Sequence, residues 1–217
     1  MASQLIYGKQ PVAEAERGRR RQVHRVWRAP ETSSEELERL CGSPDHQGVV
    51  AEVDPYPYVG SAELLGSDSA LLVALDQVQD PRNLGAVCRS AEAAGAGGVV
   101  IPDRRSAEIT AVACKASAGA VEHLRIAHVR NLADWLGEAK QAGFWIWGAD
   151  AGAKQAPWEV DLKGPTVLVL GGEGKGLRPR VASACDGLIA LPQRGKIDSL
   201  NVSAAVTALL FEAVRQR

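Results

Sequence analysis

Six short apolar runs, separated by stretches with helical spacing, constrain the fold of this 217-residue chain more than any other feature. Strands that are buried on both faces of a sheet are apolar throughout, whereas half-exposed strands alternate apolar and polar residues. Apolar strands that alternate with helices predict an α/β fold, a mostly parallel sheet with helices on both faces. The predicted strands are 71–75, 98–102, 124–129, 144–149, 166–171 and 187–192, and the predicted helices are 83–94, 107–118, 131–142, 178–185 and 201–216.

The chain ahead of these runs predicts a small α+β domain. It contains two helix-like and two strand-like stretches, at 12–18, 22–27, 33–42 and 47–53. A segment rich in Pro, Gly and Ser follows, as is typical of linkers. We therefore expect an N-terminal domain at 1–53, a linker at 54–69 and a main domain at 70–217.

Charge is distributed unevenly, although the net charge is only -1. Residues 1–30 hold seven basic residues against two acidic ones, and the rest of the chain is acidic. A basic start on an acidic body suggests that the N-terminal segment meets a polyanion, and a solvated basic face is the alternative. The candidate phosphate contacts are Arg17, Arg19, Arg20, Arg21 and Arg25.

The four cysteines and four histidines show neither metal-ligand spacing nor a disulfide framework. We find no signal peptide and no apolar run of membrane-spanning length. The sequence therefore predicts a cytoplasmic protein that uses no metal and no membrane.

Three loops follow predicted strands, and ligands of parallel sheets bind at the carboxyl ends of the strands. In the first loop, Asn83 stands near a helix start, Gly85 permits close approach of another backbone, and Arg89 follows nearly two helical turns after Asn83. For an isolated pair of this kind, a capping asparagine and a surface arginine is the favoured interpretation.

The second loop, within VLVLGGEGKGLRPRV at 167–181, has four glycines in six residues. Such a loop lets a ligand approach the backbone closely, and a plain tight turn is the alternative. The loop matches neither a dinucleotide-binding fingerprint nor a Walker motif. In the third loop, Pro192 ends a strand and Ser199 and Asn201 open the last helix, where either could be a cap.

Together these motifs resemble those of the SpoU (TrmH) family of S-adenosylmethionine-dependent RNA methyltransferases, which belongs to the SPOUT class. The resemblance rests on N-x-G-x-x-x-R-S at 83–90, L-G-G-E-G-K-G-L at 170–177, and L-P followed by S-L-N-V-S-A-A within 191–205. It covers about residues 70–217. The N-terminal LIYGKQPVAEA, the DHQGVVAEV strand and the ending LFEAVRQR resemble the bacterial branch that methylates a guanosine ribose 2′-hydroxyl in 23S ribosomal RNA.

The resemblance implies a C-terminal trefoil knot, a homodimer packed through the knot region, and S-adenosylmethionine bound by the knotted loops. The apolar final helix fits a dimer contact and simple core packing equally well. The implied cofactor-binding residues are Gly171, Gly172, Gly174, Gly176, Ile189, Leu191, Gly195 and Leu200.

The implied catalytic residues are Arg89, Asn83, Glu173, Ser199 and Asn201. The family places an arginine at the position of Arg89 beside the target hydroxyl, either as general base or as a clamp on the flanking phosphate. Arginine keeps its proton in proteins, which argues against the general-base role. The phosphate clamp is the alternative, and both roles stay open here.

The chain departs from the family in its N-terminal domain, in which we expect one helix–strand unit to be missing between residues 30 and 33. Ribosomal RNA is the favoured substrate, and transfer RNA is the alternative. Two other classes are weighed: an RNA-binding relative without catalysis, and a dinucleotide-dependent oxidoreductase, which would need a G-x-G-x-x-G turn after the first strand.

Overall fold

A computed structural model describes residues 3–66, 70–172, 176–196 and 199–217. The strands are β1 (Gln4–Tyr7), β2 (Val23–Arg28), β3 (Val49–Val53), β4 (Leu71–Asp76), β5 (Gly98–Pro102), β6 (Ile126–Val129), β7 (Trp145–Ala149), β8 (Thr166–Gly171) and β9 (Gly187–Ile189). The α-helices are α1 (Lys9–Gly18), α2 (Ser34–Cys41), α3 (Ser61–Leu65), α4 (Pro81–Ala93), α5 (Ala111–Ala116), α6 (Leu132–Gln141), α7 (Pro179–Ala184) and α8 (Val202–Gln216). Short 3-10 helices lie at Pro44–His46, Ala120–His123 and Pro157–Glu159.

These elements form two compact units, and each unit is assembled from separate stretches of the chain. The first unit comprises Met1–Pro57, Pro81–Arg89 and Glu108–Leu124, and the second comprises Tyr58–Asp80, Ser90–Ala107 and Arg125–Arg217. The sequence-based domain boundaries at residues 53 and 70 stay a prediction.

The first unit contains a three-stranded antiparallel sheet in the order β1-β3-β2. Its core includes Tyr7, Leu37 and Val50, which bring β1, α2 and β3 together. A serine caps the start of α2, since the Ser33 hydroxyl accepts a hydrogen bond from the Glu36 N–H at 3.2 Å. The predicted α+β character of the N-terminal region is confirmed, and β1 was missed in the sequence.

The second unit is built on a six-stranded parallel sheet in the order β6-β5-β4-β8-β7-β9. On one face, Leu72, Val100 and Val169 pack against Leu132 and Trp135 of α6. The alternate residues of β8 are buried as well, and α8 contacts this strand. The predicted α/β fold is therefore confirmed, whereas the trefoil knot stays a prediction.

The stretch expected to be a linker contains structure of its own. Helix α3 places Leu64 fully inside the core of the second unit, and Val59 pairs with Ala127 of β6. The Glu63 carboxylate caps the start of α3 by accepting a hydrogen bond from the Gly60 N–H at 2.7 Å. The Pro, Gly and Ser content of the segment 54–69 is typical of turns, and the sequence therefore did not predict this helix of one turn and a half.

Candidate functional site

A cavity of about 410 Å³ opens in the second unit, where three neighbouring strands reach their carboxyl ends. The ends of β7, β8 and β9, the chain after β9 and the first turns of α8 surround it. Ligand sites in proteins commonly have volumes of about 300–1,000 Å³ and mostly apolar walls. We call this space the strand-end cavity, and its position is the one expected for a ligand site in a parallel sheet.

Six of the eight residues that the sequence assigned to cofactor binding line the strand-end cavity: Gly171, Gly172, Gly176, Ile189, Leu191 and Leu200. Gly195 lines a neighbouring cavity of about 430 Å³ that shares Leu191 with the first. Gly174 lies outside the described residues. The structure thus gathers residues from separate loops around one space, and their binding role stays a prediction.

Close backbone approach explains why glycine occupies the end of β8. A methyl group on Gly171 would overlap the carbonyl group of Gly176, and one on Gly172 would lie 2.5 Å from the Gln77 carbonyl oxygen. Gly172 and Gly176 form an antiparallel bridge, and Gly176 has a left-handed φ of 62°. The glycine-rich loop therefore needs these glycines for its shape, beyond any need of a ligand.

Asp76, which the sequence did not single out, anchors the base of this loop. Its carboxylate is fully buried and accepts hydrogen bonds from the Arg178 N–H at 2.9 Å and from Arg178 Nε at 2.7 Å. The Asp76 carbonyl accepts a third hydrogen bond, from the Gly172 N–H at 2.9 Å. The end of β4 thus fixes both the beginning and the end of the loop.

The two polar residues at the start of α8 have different roles. Asn201 is the N-cap, and its Oδ1 accepts hydrogen bonds from the Ser203 N–H at 2.9 Å and from Ser203 Oγ at 2.6 Å. Ser199 lines the strand-end cavity. Capping, one alternative considered for Asn201, is therefore confirmed, and the catalytic roles of both residues stay predictions. Glu173 lies outside the described residues.

Helix α4 carries the remaining predicted catalytic residues, Asn83 and Arg89, which belong to the first unit. Asn83 lies inside the first helical turn, because α4 begins at Pro81, as expected of a residue near the helix start. Arg89 is exposed. The expected close approach at Gly85 is confirmed, since a methyl group there would lie 2.7 Å from the Ala116 Cβ on α5.

Within the second unit, the last turn of α4 is tied to α8. The hydroxyls of Ser90 and Thr207 are hydrogen-bonded at 2.6 Å, and Thr207 Oγ1 also donates to the Ser203 carbonyl at 2.7 Å. Ser90 directly follows Arg89 in α4, and α8 contributes Val202, Ala205 and Leu209 to the wall of the strand-end cavity.

The predicted phosphate contacts differ in their accessibility. Arg17, Arg19 and Arg25 are exposed, and Arg20 is half-buried. An open groove of about 600 Å³ in the first unit is lined by Arg19, Arg20 and Arg25, together with the chain around β2. The Arg25 guanidinium lies 4.8 Å from the centroid of the Trp27 ring, a cation–π distance.

Arg21 also borders this groove, but its side chain is only 1% exposed. Its guanidinium is paired with Glu122 and also donates to Gln4 Oε1 at 2.8 Å. Burial lowers the pKa of Arg21, but the hydrogen bonds that Arg21 donates to Glu122 and Cys114 and the Coulombic attraction of these groups together outweigh burial, and the pKa is raised. Burial also raises the pKa of the neighbouring Cys114 thiol to about 11. The assignment of Arg21 to a phosphate contact is corrected to a structural ion pair.

The sequence reasoning also missed Asp150, which follows β7 and lines the strand-end cavity. Its signal was an acidic residue directly after the apolar run FWIWGA. Among the described residues, no group of three His, Cys, Asp or Glu side chains could hold a metal ion. No helix in the described ranges is both long and apolar enough to span a bilayer.

Comparisons with known proteins match this geometry. Residues 70–211 match the SpoU rRNA Methylase family, and residues 30–59 match a family described as RNA 2′-O ribose methyltransferase substrate binding. Among solved structures, the SpoU methyltransferase AviRb from Streptomyces viridochromogenes in complex with AdoMet is similar, with a TM-score of 0.80 and 26% identity. The alignment covers 99% of this chain and 90% of AviRb.

Two curated bacterial relatives each cover 79% of this chain. The putative TrmH family tRNA/rRNA methyltransferase YacO of Bacillus subtilis is 44% identical, and the 23S rRNA (guanosine-2′-O-)-methyltransferase RlmB of Pseudomonas putida is 46% identical. The alignment spans 71% of each of these proteins. An uncharacterized tRNA/rRNA methyltransferase of Synechocystis is 43% identical, and this chain spans 48% of its length.

Proposed function

Because this chain belongs to the SpoU rRNA methylase family, we propose that it transfers a methyl group from S-adenosylmethionine to a ribose 2′-hydroxyl of RNA. The observation that carries the proposal is the strand-end cavity, which gathers five residues of two separate family motifs together with Ile189. A guanosine of 23S ribosomal RNA is the proposed target, because RlmB of P. putida is named for that reaction.

The residues of the strand-end cavity suit S-adenosylmethionine. Leu191, Leu200 and Leu209 offer apolar contact to an adenine ring, and the irregular chain after β8 and β9 offers backbone hydrogen-bonding groups. When bound there, S-adenosylmethionine supplies an electrophilic methyl group on a sulfonium. Apolar walls also exclude water from such a group.

We propose that Arg89 positions the target ribose by holding its flanking phosphate. Arginine keeps its proton in proteins, and an exposed guanidinium suits a phosphate better than a proton-abstracting role. The Ser90–Thr207 hydrogen bond supports this assignment, since it ties the residue after Arg89 to the helix that lines the cavity. Asn83, Glu173, Ser199 and Asn201 complete the proposed machinery by family position.

For RNA binding, we propose the exposed arginines Arg17, Arg19 and Arg25 with the half-buried Arg20. Phosphate contacts of this kind position RNA without reading its sequence. Assembly into a homodimer through the final helix also stays a proposal. Phe211 and Val214 of α8 are 47% and 40% exposed, which gives this helix apolar surface for such a contact.

The test is methyl transfer from labelled S-adenosylmethionine to ribosomal and transfer RNA from a strain that lacks the enzyme, with the product mapped by mass spectrometry. We expect 2′-O-methylguanosine in 23S RNA from the unmodified protein. Arg89→Ala should lower transfer about 100-fold or more while cofactor affinity is retained, because the target ribose is no longer held in position. Arg180→Ala, which removes an exposed arginine of α7, is the control.

Methylation of transfer RNA instead of ribosomal RNA would support the proposed reaction and contradict the proposed target. Cofactor binding without transfer to any RNA would support a non-catalytic RNA-binding protein. Full activity in Arg89→Ala would remove Arg89 from the machinery.

A further inference from the structure

Asp150 is the one ionisable side chain in the described lining of the strand-end cavity. It directly follows β7 and is half-buried. The Asp150 N–H donates to the Ile189 carbonyl at 3.0 Å, and Asp150 Oδ1 accepts a hydrogen bond from the Gly152 N–H at 2.7 Å. Backbone contacts on both sides therefore hold this carboxylate at the cavity wall.

Asp150 and the glycine-rich loop follow neighbouring parallel strands. β7 pairs in parallel with β8, with Gly148 opposite Val169, so the two strands end at the same edge of the sheet. β8 leads into the glycine-rich loop, and β7 leads into Asp150. Dinucleotide-binding folds also combine a glycine-rich loop after one strand with an acidic residue whose carboxylate accepts hydrogen bonds from ribose hydroxyls.

We propose that the Asp150 carboxylate binds the ribose 2′,3′-diol of the nucleoside cofactor, an inference that rests on the proposed function. An ionised carboxylate can accept about four hydrogen bonds, and the Gly152 N–H occupies one of these positions. Two hydroxyl donors on neighbouring carbons fit the remaining capacity. Gln193 and Ser199 are the other polar side chains of the lining, and both are neutral, so Asp150 is the one described side chain that offers a charged acceptor to two hydroxyl groups.

The amino group of the cofactor's methionine part is the competing partner for this carboxylate. An ammonium loses far more hydration energy than a hydroxyl when it is buried, and the flanking Ala149 and Ala151 offer no side-chain hydrogen bonds to replace that hydration. A half-buried carboxylate between alanines therefore favours the neutral diol.

The experiment measures binding by calorimetry for S-adenosylmethionine, S-adenosylhomocysteine and 5′-methylthioadenosine, which keeps the ribose but lacks the amino acid part. Asp150→Asn should weaken all three by a similar factor, about tenfold, because one charge-assisted acceptor is lost. Asp161→Asn is the matched control. Asp161 is exposed, does not line the cavity, and makes the same kind of turn, with its Oδ1 accepting the Lys163 N–H at 2.9 Å.

Each outcome decides the question. Unchanged affinity for all three ligands overturns the inference, and a loss restricted to the two ligands with an amino group assigns Asp150 to the ammonium instead. Failure of the unmodified protein to bind S-adenosylmethionine refutes the proposed function itself. Should Asp150→Asn not fold, the unmodified protein is tested with the 2′,3′-dideoxy form of 5′-methylthioadenosine. Its affinity should fall about tenfold, and equal affinity overturns the inference.

Discussion

Replacing Asp76 with asparagine tests how the glycine-rich loop is held. The Asp76 carboxylate is fully buried, and both of its oxygens accept hydrogen bonds from Arg178, one from the backbone N–H and one from Nε. Asparagine keeps the size of the side chain and one acceptor oxygen, but it replaces the second oxygen with a donor. One of the two hydrogen bonds is therefore lost, and the charge is removed.

The size of the effect follows from the exposure of the partner. A hydrogen bond to a charged group contributes about 1.5–3 kcal/mol, and the Arg178 side chain, 45% exposed, regains water when it is released. We therefore expect Asp76→Asn to lower the free energy of unfolding by about 2 kcal/mol. For a protein of this size, that corresponds to a fall in Tm of about 4–8 °C.

Urea unfolding of the purified proteins, followed by circular dichroism, measures this change. Arg178→Ala is the companion variant, because it removes the guanidinium and leaves the backbone N–H paired with Asp76. It should cost at least as much, about 3 kcal/mol, since it leaves a fully buried carboxylate charge with only one donor. A loss below about 0.5 kcal/mol in Asp76→Asn, the usual range for a surface substitution, would refute this account of the loop, as would a smaller loss in Arg178→Ala than in Asp76→Asn.

Two further predictions concern the loop and α8. Gly171→Ala should abolish detectable cofactor binding in calorimetry, because its methyl group would overlap the Gly176 carbonyl. Gly164→Ala, at a site with open space around it, should bind the cofactor normally. Equal binding by both variants would contradict the steric argument. The Arg215 guanidinium and the Gln216 amide hold the pKa of Glu212 at about 2, below its ordinary 4.5. Its stabilising effect is therefore complete above pH 4.5 and is lost as the pH falls toward 2. Urea unfolding should show that Glu212→Gln has a free energy of unfolding about 0.5 kcal/mol below that of the unmodified protein at pH 6, and this difference should shrink toward pH 2. A difference that does not depend on pH would contradict the assigned role of the Glu212 carboxylate.

The sequence predicted the six strands of the second unit and the helices that follow them because each carries its own periodic or continuous apolar signal. The differences lie at the ends, as for β9, predicted to reach residue 192 and observed to end at Ile189. Strand β1 has only four residues, and α3 lies in a segment whose composition is typical of turns. In both β1 and α3, the local sequence pattern was too short to identify a strand or a helix.

The candidate site was predicted where motifs carried it and missed where the partners lie far apart in sequence. Gly171 and Leu200, from two separate motifs, and Ile189, just before the second of them, were assigned to one pocket, and they line one cavity. Asp76 and Arg178 are 102 positions apart, and nothing near Asp76 in the sequence indicates its partner. The prediction that Arg21 contacts phosphate was wrong because its partner is also distant in sequence. Glu122, which pairs with it inside the first unit, lies 101 positions away.

The order of strands in the six-stranded sheet has a consequence for how the chain folds. β4 finds β5 soon after synthesis, but its other neighbour, β8, begins 95 positions later, with Leu71 opposite Thr166. Parallel pairing at such separation raises contact order, and high contact order slows folding. Until β8 arrives, one edge of β4 offers unpaired backbone to other chains, so crowded refolding should favour aggregation. The strand-end cavity, which needs β7, β8, β9 and α8 together, is then among the last features of the second unit to form.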